Sequence, residues 1–194
     1  MDSGDTKTQI LDSAQALIER VGINAMSYQD ISKAVNIRKA SIHYHFPTKD
    51  DLVAALLDRY NADFLRQLEA ILSSGAVPTV KLRRYCSLFI TKLRCGDQTQ
   101  ACLCSMLGAE LETLKSPLAQ RVSSFYSANE KRLAQILAEG RESGEFAFLG
   151  EVEAMSQLMF SLLEGGMLIA RAQGGVPYYE AIIRQMLQMV GVRD

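Results

Sequence analysis

Lys33, Arg38, Lys39 and Lys49 stand in a window, residues 31–49, that contains no Asp or Glu, and Ser41, His43, Tyr44 and His45 stand among them. Four cations without an acid give this window a formal charge of +4, inside a chain whose total is −1. Arg, Lys, Ser and Tyr near the start of a helix are suited to phosphate oxygens and to base edges in a DNA major groove. Ala40 and Ser41 are small, which keeps the tip of such a helix thin enough to enter the groove. His43, Tyr44 and His45 supply donors and flat rings without negative charge. An ordinary solvated αα-hairpin with a basic face has the same composition, and helix-pair spacing alone does not separate the two readings.

Two short helices are needed to present these residues. Ser27 followed by Asp30 is a helix-start signature in which side chains satisfy orphan backbone N–H groups. Ile31, Ala34 and Val35 then form one apolar face at i, i+3, i+4. Asn36, which tolerates a left-handed backbone, stops that helix and turns the chain. Arg38–Phe46 follows as a second helix, closed by Pro47. The pair is a helix-turn-helix. Ahead of it, Thr6–Gln9 reads as a capping box, and Ile10, Leu11, Ala14, Leu17, Ile18 and Val21 make a 3.6-period stripe that ends at Gly22. The piece up to Phe46 is too small to bury a stable core alone. It must lean on a helix over 48–73, opened by Thr48-x-x-Asp51 and carrying Leu52, Val53, Leu56, Leu57, Tyr60, Phe64, Leu65, Leu68 and Leu72.

The run NIRKASIHYHFPTKDDL resembles the recognition-helix signature of TetR/AcrR-type regulators, in detail from Thr6 to Tyr60 and loosely in the helical layout beyond. Asn36 departs from the Gly usual in that family, and His43 from a common Tyr. The resemblance implies an all-α fold of about nine helices. A three-helix DNA-binding domain over 1–47 would precede a helical effector-binding and dimerisation domain over 48–194, joined by helix 48–73. On this resemblance Arg38 and Lys39 are expected at bases or phosphates, Ser41 at a base edge beside Ala40 and His43, and Tyr44 and His45 at flanking phosphates. Ser27 and Lys49 would anchor the DNA backbone from two helix N-termini. A two-fold dimer would read a palindrome with half-sites ~34–36 Å apart or a near multiple of that.

A length of 194 residues with 48% hydrophobic content holds a sizeable core in one domain or one and a half. The polar start MDSGDTKTQ reads as no secretory signal, and no window reaches 18 uninterrupted apolar residues, so a soluble cytoplasmic protein without a membrane segment is expected. Four cysteines in that setting point to reduced thiols. Cys102 and Cys104 are two residues apart, so on a helix they diverge by about 200° and cannot share one ion. They read either as small hydrophobes in a packed helix or as electrophile- or oxidant-sensing thiols, activated by Lys92, Arg94 or Lys115. No metal site and no cofactor is expected. An enzyme is disfavoured: no histidine lies beyond residue 45, and there is no phosphate loop or nucleophile elbow. Glu110 and Glu112 read as helical neighbours that point apart, and most of the remaining acids as a solvated face.

Helices are further expected at 80–94, broken by Gly96-Asp97, and at 101–114, 116–144, 151–172 and 177–190, with no strand alternation and no internal repeat. Tyr85, Phe89, Met106, Phe125, Tyr126, Met155, Met159 and Phe160 make an aromatic and Met-rich set, either core or the lining of a pocket for a small, mainly apolar or aromatic effector. Glu164 and Arg171 are polar anchors or an inter-subunit pair. Gly165-Gly166 marks either a close helix approach or a kink. The last two helices carry more apolar surface than one another's contact covers, which argues for a homodimer. The chain therefore reads as a ligand-responsive, DNA-binding repressor, with a helical binding or carrier module that never reads DNA as the alternative of a different class.

Overall fold

The computed structural model describes residues 3–95 and 99–192. Among them the chain forms nine α-helices: α1 Ser3–Val21, α2 Tyr28–Val35, α3 Lys39–His45, α4 Lys49–Leu72, α5 Pro78–Cys95, α6 Leu103–Ala109, α7 Ser116–Glu142, α8 Val152–Gln173 and α9 Gly175–Met189. No strand occurs among the described residues. The expected break at Gly96-Asp97 lies outside them. The expected helix over 101–114 is instead α6 followed by a short 3-10 turn, Leu111–Thr113, because Glu110 leaves helical geometry at φ −111, ψ 24. α1 begins at Ser3, ahead of the Thr6 box.

The helices sort into two compact units, residues 1–62 with 103–124, and residues 63–102 with 125–194. This division differs from a cut at residue 47: α4 starts in the first unit and ends in the second, as does α7.

In the first unit the stripe of α1 (Ile10, Leu11, Ala14, Ile18) is buried together with Ile31 of α2, Ile42 and Phe46 of the α3 region, and Leu52, Val53, Leu56 and Leu57 of α4. α1 touches α2 and α6, and α2 touches α3. In the second unit α8 packs along α9, and α5 meets both. Gly166 explains the tight seam. A Cβ there would come within 3.0 Å of Ile182 Cδ1 and 3.4 Å of Tyr179, so any side chain at this position would crowd the helix pair. Of the two readings of Gly165-Gly166, close approach is the one realised at Gly166.

Candidate nucleic-acid interface

Four local devices hold α2 and α3 in place. The Asp30 carboxylate accepts both the N–H (3.0 Å) and the hydroxyl (2.6 Å) of Ser27, and these hydrogen bonds hold its pKa below the usual carboxylate value. Asn36 sits at φ 56, ψ 47, the only non-glycine with positive φ among the described residues, and its N–H reaches Ser32 O. Ser32 closes the same turn by donating from Oγ to Ile37 O at 2.6 Å. Tyr28 places its hydroxyl between the carbonyls of Phe46 (2.9 Å) and Thr48 (2.6 Å), and burial with the nearby Asp51 and Asp50 charges pushes its pKa up to about 12.

On this frame α3 is anchored by Ile42, fully buried, and by Phe46 just beyond it. The opposite side carries Arg38, Lys39, Ala40, His43 and Tyr44, all exposed, with Ser41 and His45 half-buried. Tyr44 is 81% exposed, which no packing role explains. Its ring meets the edge of His45 at 5.2 Å. His43 stands 4.8 Å from the Tyr28 ring, and its Nδ1 lies 3.2 Å from Pro47 O, so its imidazole is partly committed to the protein. Asp30, the last acid before α3, is turned toward Ser27, and Asp50, the first after it, pairs with Lys115. The α3 face is thus cationic, donor-rich and acid-free, as a groove-reading surface must be.

Two expected anchors are placed differently. Ser27 is exposed, but its hydroxyl is given to Asp30. Lys49 turns its ammonium inward to Ile23 O, and burial lowers its pKa, partly offset by the Glu110 charge. That carboxylate is a residue sequence reasoning missed. Glu110 lies between α6 and the 3-10 turn, not within one helix beside Glu112, and its Oε2 accepts the N–H of Ile23 at 2.6 Å, across 87 positions of sequence.

In the second unit Tyr85, Phe89, Phe125 and Met159 are buried, and Tyr126 and Met155 are half-buried. The aromatic rings among them, with Phe64 and Phe160, pack on one another at centroid distances from 5.2 Å (Phe64–Phe125) to 6.5 Å (Phe125–Phe160). Met106 belongs to the first unit. Glu164 is buried close enough to Tyr85 and Tyr179 for its charge to add to the burial that raises both phenols. A groove of about 320 Å³ lies elsewhere, between α5 and α9, lined by Arg83, Ile90, Arg184 and Leu187. Among the described thiols, Cys102 and Cys104, the two expected as sensors, are buried, as is Cys86, whose pKa burial pushes up to about 12. No group of three or more His, Cys, Asp or Glu suited to a metal occurs among the described residues.

Residues 10–56, which carry this interface, match the family model for bacterial regulatory proteins of the tetR family, and residues 78–186 match a tetracyclin repressor-like C-terminal domain. The chain belongs to the TetR family. As a TetR-family protein it is a DNA-binding transcriptional regulator, and the relatives it matches are regulators, not enzymes. It is 30% identical to a TetR-family transcriptional regulator from Agrobacterium tumefaciens, whose crystal structure superposes with a TM-score of 0.92 over 98% of this chain and 100% of that one. The transcriptional regulator AcuR of Cereibacter sphaeroides is 24% identical over 78% of this chain and 70% of its own length. The repressor NemR of Escherichia coli is 24% identical over 86% of this chain and 84% of its own. No helix among the described residues is long and apolar enough to cross a membrane.

Proposed function

We propose that this TetR-family regulator is a cytoplasmic homodimeric repressor, released from a palindromic operator by a small, mainly apolar or aromatic effector. Residues 1–47 serve as the DNA-binding domain, and residues 48–194 as the effector-binding and dimerisation domain, linked through α4. The observation that carries this reading is the face of α3: Arg38, Lys39 and Tyr44 exposed, Ser41 at its edge, and no acid among them. Lys39 and Ser41 read bases, Arg38 contacts base or phosphate, and Tyr44 and His45 hold flanking phosphates. Repression is taken over from relatives such as NemR, described as a repressor.

An apolar or flat effector would enter among the rings of Phe89, Phe125 and Phe160 by parting their contacts with one another. Switching requires the effector to bind the DNA-incompetent arrangement more tightly, each tenfold preference supplying about 1.4 kcal/mol. Selection of bound sequences from random duplex DNA tests the reading. A two-fold symmetric motif, with affinity that falls steeply with salt, is expected; enrichment of no sequence at any salt concentration sinks it.

A further inference from the structure

The first unit is assembled from two stretches of chain, 1–62 and 103–124, and one carboxylate joins them at the base of the helix-turn-helix. The second stretch brings in α6, which touches α1 and buries Leu103, Cys104 and Leu107. Just past α6, Glu110 enters the turn between α1 and α2. Its Oε2 takes the Ile23 N–H at 2.6 Å, and its two oxygens lie 3.3 and 3.4 Å from the Asn24 N–H. The Asn24 side chain answers by donating from Nδ2 to Thr113 Oγ1 at 3.1 Å, and that hydroxyl donates to Glu110 O at 2.8 Å. Gly22, at φ +85, makes room: a Cβ there would stand 2.7 Å from Glu110 Oε1. Successive N–H groups converging on an anion form a nest, and here the anion is a side chain of the same unit. The same two stretches meet again where Lys115 pairs with Asp50 at the start of α4, and where Arg121 lies 3.3 Å from Asp58.

We propose that Glu110 is a positioning residue for DNA reading: by gripping the Gly22–Asn24 turn it sets the entry of α2, and with it the aim of α3. This rests on the DNA-binding reading of α3 given above. Two features make the turn a sensitive point. α3 is seven residues long and buries only Ile42 within its span, so its direction is inherited from α2 and the turn before it. The gripping segment is covalently continuous, at Cys102 and at Phe125, with the second unit. A displacement of residues 103–115 therefore reaches the turn ahead of α2 through the charge-assisted Glu110 contact, beside the Lys115–Asp50 pair at the start of α4.

The test uses the full chain, duplexes selected by the wild-type protein, and a temperature well below melting. Glu110→Gln keeps the shape but removes the charge and one acceptor oxygen. It is expected to weaken binding about tenfold on every selected duplex, with sequence preference and salt slope unchanged because no phosphate contact is lost. Amide exchange at Ile23 and Asn24 should quicken, while Ile37, bonded to Ser32 O in the α2–α3 turn, keeps its protection. Lower melting with unchanged affinity would make the contact merely structural and overturn the proposal; so would a reduced salt slope. If Glu110→Gln does not fold, Thr113→Val, which removes the two outer hydrogen bonds of Thr113 Oγ1 and leaves the Glu110 carboxylate, replaces it; a roughly threefold loss supports the proposal and none overturns it. A wild-type protein that selects no duplex removes the DNA reading itself, and this inference with it; wild-type binding matched by the variant removes only the role of Glu110.

Discussion

Tyr44 and Lys39 are both exposed on α3, but their chemistry differs in what it can report to DNA. A phenol has one donor and suits a phosphate oxygen, whereas an ammonium at the thin end of the helix, beside Ala40 and Ser41, can reach a base edge. Tyr44→Ala should therefore weaken all operators by a similar factor. Lys39→Ala or Ser41→Ala should cost about 1–3 kcal/mol on the preferred site and change which base wins there. Competition among selected duplexes measures both, and a uniform loss for all three variants would contradict the division of labour. Lys39→Ala should also lower the salt slope by about one if it meets phosphate instead. Lys49 is set apart from this group by its inward turn to Ile23 O.

Elements in this fold are tied down at their ends, and α4 is the case where titration makes the tie measurable. Asp51 accepts from the Thr48 N–H at 3.0 Å and hydroxyl at 2.7 Å, while its own N–H donates to Thr48 Oγ1 at 3.1 Å. These bonds, the Thr48 hydroxyl's first, hold the Asp51 pKa below its ordinary value. A depressed folded pKa means stability that is fully present above the unfolded value, about 3.9, and lost as pH falls through the folded one. Asp51→Asn should thus be less stable than wild type at pH 7, with the gap closing from about pH 4 downward. Urea unfolding at pH 7 and pH 3 reads this directly, and a gap independent of pH would refute it. Such caps were legible because both partners lie within three residues and belong to types with few other uses: Thr48 with Asp51, Ser27 with Asp30, and Asn36 at its left-handed turn. Glu110 was not legible. Its partners are backbone N–H groups 86 and 87 positions away, and backbone donors leave no mark on residue type. The 101–114 segment failed for the same reason, since the contact that bends it at Glu110 is made far along the chain. The aromatic stripe was legible as a buried set, but whether rings close on one another or around a ligand depends on packing that periodicity does not encode.

For the molecule as a whole, α8 carries the feature a single chain leaves unresolved. Leu158, Leu168 and Ile169 are 44%, 38% and 50% exposed, and Ser161, Gly165 and Ala172 run between and beyond them along the same side. A Cβ at Gly165 would meet nothing within 4 Å, in contrast to Gly166, which is pressed against α9. Adjacent glycines thus have separate uses: one admits α9, and the other leaves a flat place on the outer side, where a second helix can approach closely. Exposed aliphatics of this size flanking small residues are the composition of a helical dimer seam. The proposed partner is a second copy related by a two-fold axis, which makes the patch self-complementary. Leu168→Asp with Ile169→Asp places charges in the seam without touching α3. Sedimentation should then show a monomer at micromolar concentration. Affinity for a palindromic duplex should fall by roughly a hundredfold or more, as avidity is lost, while binding to an isolated half-site changes little. A double variant that remains dimeric, or that loses half-site and palindrome binding equally, would place the pairing surface elsewhere on the molecule.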